Sequence, residues 1–148
     1  MPIPDLDELN TMVGHELPGG TYELEDYKDW LTRDVVGATP AVDGVALPMF
    51  CYYAAIAGMG VSIDGLFQLV DATADSGVMF GEAEIDIRKP FRLGETYSVK
   101  GRITEIKRKE GRKAGVFDIV TFVLDVVDSS GEVAGVSTNA FVFPRRDD

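Results

Sequence analysis

Gly81-Glu82-Ala83-Glu84-Ile85-Asp86-Ile87-Arg88-Lys89-Pro90-Phe91-Arg92-Leu93-Gly94-Glu95-Thr96-Tyr97 is the stretch on which the fold turns. From Glu82 to Arg88 polar and apolar residues alternate strictly, the two-residue period of a strand with one face covered. Pro90 ends that strand, and Arg92-Leu93-Gly94-Glu95 reads as a turn. Thr96 to Lys107 is a second, longer strand with Tyr97, Val99, Ile103 and Ile106 on its apolar face. Gly101 interrupts the apolar set and is expected to mark a bulge. Residues 107–115 form a charged hairpin tip, Val116 to Val127 a third strand, and Ser129-Ser130-Gly131 a turn. Val133 to Phe143 is the last strand, stopped by Pro144. The expectation is four consecutive antiparallel strands.

Upstream, residues 1–72 carry helix signals. Residues 1–19 are polar and end in Pro18-Gly19-Gly20, so they are expected to form a loose arm. Thr21 to Leu24 is a short first strand. Glu25 to Val36 places Tyr27, Trp30, Leu31 and Val35 three and four residues apart, an amphipathic helix with Gly37 as its stop. Gly37 to Leu47 is a loop. Pro48 then opens Met49 to Met59, which has no polar face and is expected to be a helix buried nearly all round. Its small residues Ala54, Ala55, Ala57 and Gly58 allow a sheet to come close. Ser62 caps a further short helix, Ile63 to Val70.

A buried helix followed by such strands in one domain of 148 residues resembles the hot-dog layout. The quoted stretch resembles the x-E-x-x-x-x-x-R-P-h-x-h-G-D-T run of MaoC-like acyl-CoA hydratases and dehydratases, where h is apolar. Gly101-Arg102-Ile103-Thr104-Glu105-Ile106 continues it. Lys109-Glu110-Gly111-Arg112-Lys113-Ala114-Gly115 is similar to the family's charged hairpin, and Ala140-Phe141-Val142-Phe143-Pro144-Arg145 to its last strand. The likeness covers about residues 20–146 and is strongest to the N-terminal, fatty-synthase-like dehydratase branch. It implies an α+β hot-dog fold: a long central buried helix wrapped by a curved antiparallel β-sheet, in a single domain spanning 1–148.

The resemblance also says where chemistry should sit. Hydrating an enoyl thioester needs a base for water and an acid for the alpha carbon. R-specific hydratases carry them as Asp and His in a Gly-Asp-x-Asn-Pro-apolar-His loop just before the buried helix. Here Gly37-Ala38-Thr39-Pro40-Ala41-Val42 stands in that place, one residue shorter. Ala38 occupies the Asp position and Val42 the His position, and neither side chain can move a proton. Asp43 is a possible displaced acid or base, and more simply a solvated loop residue. His15, the single histidine, falls in the arm, and Asp34 on a helix surface. Cys51 falls near the start of a helix, where a thiol can be activated, but the apolar surroundings favour an inert one. Met49, Phe50, Tyr52 and Tyr53 are read as core packing or as the lining of an acyl pocket.

The net charge of −11 runs against nucleic acid and anionic membranes. Against that background Lys107, Arg108, Lys109, Arg112 and Lys113 stand out. They form either a solvated tip or a grip on the phosphates of coenzyme A, with Arg145 and Arg146 a weaker version of the second. One His and one Cys cannot make a zinc set, and no cofactor is expected beyond a coenzyme A thioester as substrate or ligand. A lone Cys allows no internal disulfide. The acidic start without an apolar segment leads to a cytoplasmic expectation. Three readings follow. The leading one is a non-catalytic partner of a MaoC-like chain that carries the Asp and His, shaping the acyl tunnel for a bulky substrate such as a steroid side chain or long acyl chain. The others are an active homo-oligomer using unusual residues and an acyl-CoA binding module without chemistry.

Overall fold

A computed structural model describes residues 2–146. In chain order the elements are α1 (Leu6–Asn10), β1 (Gly20–Glu23), α2 (Asp26–Val36), α3 (Phe50–Gly58), α4 (Ile63–Gln68), β2 (Met79–Ile87), β3 (Thr96–Gly111), β4 (Gly115–Val127) and β5 (Val133–Arg145). The strands form one antiparallel sheet in the order β1-β3-β4-β5-β2. Helix α3 touches all five, so the sheet wraps around it.

The strand order corrects the expectation of a simple meander. β2 pairs with β5, not with β3, and the chain crosses to the far side of the sheet between Ile87 and Thr96. The alternating pattern showed each strand's faces but carried no information on its neighbour. Gly101 is not the bulge either: it pairs in register with Leu124, and the shift lies between Ile103 and Glu105. The physical need for glycine at 101 is space. A Cβ there would stand 2.5 Å from Leu124 Cδ2 and 2.9 Å from Leu17 Cδ1.

That contact with Leu17 belongs to a further correction, because the arm is docked rather than loose. Asp5 caps α1 by accepting from the Asp7 and Glu8 N–H groups. Leu9 and Leu17 are buried. Gly14 and Leu17 donate backbone bonds to Ile103 and Gly101, and Glu16 bridges to Arg102 along β3. Leu6 and Met12 pack on the core beside Leu9 at a spacing of three, a helical period too short to stand out from a polar segment, and Leu17 docks further along.

α3 spans nine residues and is buried on one side only. Phe50, Cys51, Ala54, Ala55 and Gly58 lie against the sheet, while Met49 just before the helix, Tyr53 and Ala57 are exposed. The small residues act as expected on the inner side: a Cβ on Gly58 would meet Val99 Cγ2 at 2.6 Å. The outer side is apolar yet uncovered.

α2 departs furthest from its pattern. Tyr27, Trp30, Leu31 and Val35 point to solvent, with Trp30 54% and Val35 85% exposed. The face toward the protein is the charged one, Asp29 with Arg33, and Asp29 is only 1% exposed. Hydrogen bonds rather than apolar burial dock this helix.

Candidate functional site

The loop between α2 and α3, where the sequence resemblance placed the expected acid and base positions, has a firmly held backbone. Gly37 ends α2 in a left-handed conformation (φ 68°), with the Ala38 N–H donating to Arg33 O at 2.8 Å. Arg33 fans out over the loop, Nε to Asp29 Oδ2 at 2.6 Å, Nη1 to Thr39 O at 2.9 Å and Nη2 to Val45 O at 3.1 Å. Asp29 Oδ1 accepts from the Leu47 N–H at 2.8 Å. From the other side, Ala46 donates to Phe91 O and Leu93 to Gly44 O. Sequence reasoning missed Asp29 and Arg33. Their signal was an Asp and an Arg four residues apart on one helix face, a spacing that also serves ordinary surface pairs.

Within this frame Ala38 and Val42 carry no group that could move a proton. Ala38 is exposed, and Val42 is 71% exposed. Asp43 is exposed at the loop tip with φ 56°, a left-handed conformation that Asp tolerates. Its main-chain oxygen accepts a long 3.4 Å bond from Arg92. Asp34 and His15 are both exposed and lie on α2 and in the docked arm respectively. Cys51 is fully buried, and burial together with the nearby Asp86 carboxylate pushes its thiol up to about 11. A thiol so protonated is a poor nucleophile.

Met49, Phe50, Tyr52 and Tyr53 do come together. Phe50 is buried, and its ring meets Tyr53 edge-on at 5.4 Å; Tyr53 meets Tyr52 at 5.9 Å, and Tyr52 meets Phe80 of β2 at 6.3 Å. Phe80 in turn packs on Phe141 at 5.1 Å. An aromatic row therefore runs from the start of α3 to the edge strand. Tyr53 and Phe80 remain substantially exposed.

The basic cluster is divided by the alternation of β3. Arg108 turns inward, donating Nε and Nη2 to the two oxygens of buried Asp118 at 2.8 and 3.0 Å, and Nη2 also to Pro4 O. Lys107 pairs with Glu105 at 3.0 Å. Lys109, Arg112 and Lys113 are exposed at the hairpin. Arg145 is buried as well. Its guanidinium joins Asp118 Oδ2, Asp71 O and Val70 O, so Arg108 and Arg145 are structural rather than free to grip phosphate. Arg146 borders a cleft of about 690 Å³ whose lining includes the carboxylates of Asp5, Glu8, Asp71 and Asp75, which repel an anion.

A second cleft, of about 270 Å³, lies over Lys89, Arg92, Glu95, Tyr97 and Asp128. Lys89 bonds both Asp128 and Glu132, Tyr97 donates to Glu95, and burial pushes the Tyr97 hydroxyl up to about 12. Lys89 is thus paired with Asp128 and Glu132, and Tyr97 with Glu95. Among the described residues no group of three or more His, Cys, Asp or Glu is placed to hold a metal ion, and no helix is long and apolar enough to cross a membrane.

Comparison with known proteins agrees with this frame. No curated protein matches the chain in sequence. Its fold is similar to the ChsH1-ChsH2 complex from Mycobacterium tuberculosis, with a TM-score of 0.73 at 11% identity over 97% of this chain and 96% of that one. It is similar to the truncated HadBC (3R-hydroxyacyl-ACP dehydratase) complex of the same organism, with 0.66 at 15% over 88% and 96%. It is also similar to the R-hydratase PhaJ1 from Pseudomonas aeruginosa, with 0.59 at 14% over 90% and 83%. At such identities the likeness establishes the α+β hot-dog fold. Residues 43–135, more than half of the chain, match the family described as FAS1-like, dehydratase domain region. The single helix inside one antiparallel sheet and this match agree, and the chain belongs to the FAS1-like dehydratase domain family, with a hot-dog fold.

Proposed function

We propose that this chain is a non-catalytic partner subunit of a heteromeric MaoC-like enoyl-CoA hydratase. The observation that carries the proposal is the contrast inside one loop. Arg33 and Asp29 hold its backbone in place, while Ala38 and Val42 fill the positions from which an Asp and a His would act. A loop kept without its acid and base serves shape, not proton transfer. The proposed shape is one wall of an acyl tunnel: the row Tyr53, Tyr52 and Phe80 is uncovered in the single chain and would be closed over by the partner. A wall without a bulky loop acid and His suits a large acyl group, such as a long chain or a steroid side chain. Two of the structures of similar fold are of complexes named for two chains, ChsH1-ChsH2 and HadBC, which supports a partner chain. Lys109, Arg112 and Lys113 at the β3–β4 hairpin are the proposed contact for coenzyme A phosphates, without Arg108.

The test is hydration of enoyl-CoA thioesters of graded chain length by the purified chain alone and by the chain co-expressed with a MaoC-like protein carrying the Asp and His. Activity confined to the pair, and abolished by changing only the partner's Asp, is the expected result. Substantial turnover by the chain alone overturns the proposal. Titration of the pair with an acyl-CoA should weaken several-fold when Lys109, Arg112 and Lys113 are changed to Gln, with a reduced dependence on salt.

A further inference from the structure

The inner face of β5 carries two polar residues in its middle. Gly135, Ser137, Asn139, Phe141 and Phe143 alternate along that face, all buried. Gly135 lies beneath α3, because a Cβ on it would stand 2.7 Å from Cys51 Sγ. Ser137 and Asn139 sit between Leu124 and Phe122 of β4 on one side and Ile85 and Ala83 of β2 on the other. They are buried as deeply as Leu124 and Phe122, with Asn139 only 1% exposed. Asn139 Nδ2 donates to Ser137 Oγ at 3.0 Å, and Asn139 Oδ1 meets no donor. Among the described residues it is the single buried side-chain nitrogen or oxygen without a partner.

An amide in an apolar sheet face with part of its hydrogen-bonding capacity unused works against the fold. Turning the amide over does not remove the orphan. Oδ1 would then accept from the Ser137 hydroxyl, and Nδ2 would stand alone. The pair therefore presents one unused polar group in either orientation, an acceptor in one and a donor in the other. An unpaired buried group in an otherwise consistent core calls for a reason, and a functional site is the commonest place for such a departure.

Beside the pair lies the surface assigned above to the acyl group. Phe141, two residues along the same face, packs on Phe80, and Phe80 on Tyr52. Ala83, directly across from Asn139, is exposed, as are Phe80 and Ile87 on the same side of β2. Directly opposed residues of an antiparallel pair have Cβ atoms about 4.5–5.5 Å apart. A molecule resting on Ala83 is thus about one side chain away from the unused amide group.

We infer that Asn139, braced by Ser137, is a specificity-determining residue that reads a hydroxyl on the apolar part of the acyl group. A hydroxyl both donates and accepts, so it satisfies the amide in either orientation. A hydrocarbon group in the same place leaves the amide unpaired, and a site with a buried polar group rejects the analogue that lacks the matching one. The inference rests on the acyl-wall reading of the Tyr52–Phe80 row and adds the chemistry that the wall selects.

Phenol and toluene, which differ by a hydroxyl in place of a methyl, are the probes, and the chain alone is the target. Binding is followed by proton–nitrogen correlation NMR of the side-chain amides, with the Asn139 signal identified by its loss in Asn139→Ala. Toluene is the more apolar, so a groove that offers only apolar contact binds toluene more tightly. The expected result is the reverse order, phenol ahead by about tenfold or more, with the Asn139 signal moved by phenol and not by toluene. In the double variant Ser137→Ala with Asn139→Val the order should return to toluene first. That variant should also melt no lower than wild type by circular dichroism, because both polar groups leave together. Asn139→Ala, smaller than the native side chain, should lose the preference as well, which guards against overpacking by valine. A tightly held water that already satisfies the amide would leave phenol with no preference and overturn the inference. Toluene ahead in the wild-type chain, a phenol preference that survives the substitutions, an unmoved Asn139 signal, no binding of either probe, or a double variant clearly less stable than wild type each overturns it too. Neither a partner chain nor turnover enters the readout, so failure here is distinct from failure of the subunit reading, which is judged on turnover.

Discussion

Asp29→Ala tests whether the α2–α3 loop is held by the network described above. The substitution removes two acceptors at once: Oδ1 for the Leu47 N–H at 2.8 Å and Oδ2 for Arg33 Nε at 2.6 Å. A main-chain N–H left unpaired in a part-buried site costs about 1–3 kcal/mol. The Arg33 side chain is 13% exposed and keeps its bonds to Thr39 O and Val45 O, so losing its carboxylate costs less than a fully buried charge would, about 1–2 kcal/mol. The sum is about 3 kcal/mol, which for a domain of this size lowers Tm by roughly 6–12 °C. Trp30, the single tryptophan, lies beside Asp29 on α2 and reports directly on the helix in urea unfolding followed by fluorescence. Asp34→Ala, an exposed acid on the same helix, is the control and should change stability by less than about 0.5 kcal/mol. Combining Asp29→Ala with Arg33→Met should cost clearly less than the sum of the two single changes. A loss below about 1 kcal/mol for Asp29→Ala, or full additivity in the double variant, would refute the reasoning.

Two further outcomes follow from buried ionisable groups. Burial alone would raise the Asp118 carboxyl, but the bonds from Arg108 and Arg145 outweigh it and hold the group below the ordinary carboxylate value. Its stabilisation is therefore present above about pH 4 and drains as pH falls through the lowered value, so Asp118→Asn should flatten the acid limb of a Tm-versus-pH curve measured by calorimetry. Cys51, buried and raised to about 11, should resist a thiol reagent at pH 8 in the folded protein and react within seconds once urea unfolds it; rapid labelling of the native chain would contradict its burial.

The strand half of the fold was legible because each strand's two-residue period reports directly on which side is covered. β4 shows this plainly, with Asp118, Val120, Phe122, Leu124 and Val126 buried in alternation. What the period does not encode is the neighbour, and so β2 was expected beside β3 when it lies across the sheet beside β5. The arm was illegible for a different reason. Leu6, Leu9 and Met12 dock at a spacing of three, but over little more than one helical turn, too short a run to read as a period, and Leu17 stands apart from them. Of the candidate site, the motif supplied the expectation for Ala38 and Val42. The frame that holds them could not be read from it, because it is made of main-chain acceptors, Thr39 O and Val45 O, which every residue possesses. The basic hairpin shows the opposite error. Five cations in one segment looked like one patch, yet strand alternation sends Arg108 inward to Asp118 and leaves Lys107 and Lys109 outside.

The exposed stripe of α2 has the widest consequence. Hydrophobic periodicity states that one side of a helix avoids water, not which molecule covers it. In α2 the intramolecular contact is polar, through Asp29 and Arg33, and the stripe of Tyr27, Trp30, Leu31 and Val35 is left in solvent. α3 repeats the arrangement on a smaller scale, with Tyr53 and Ala57 outside and Met49 exposed just before its first turn, and β2 repeats it as a strand. Isolated exposed apolar residues are ordinary on any protein, but apolar sides turned outward on α2, α3 and β2 alike are not. The partner chain proposed above would cover apolar surface of this kind and would supply the acid and base that Ala38 and Val42 do not.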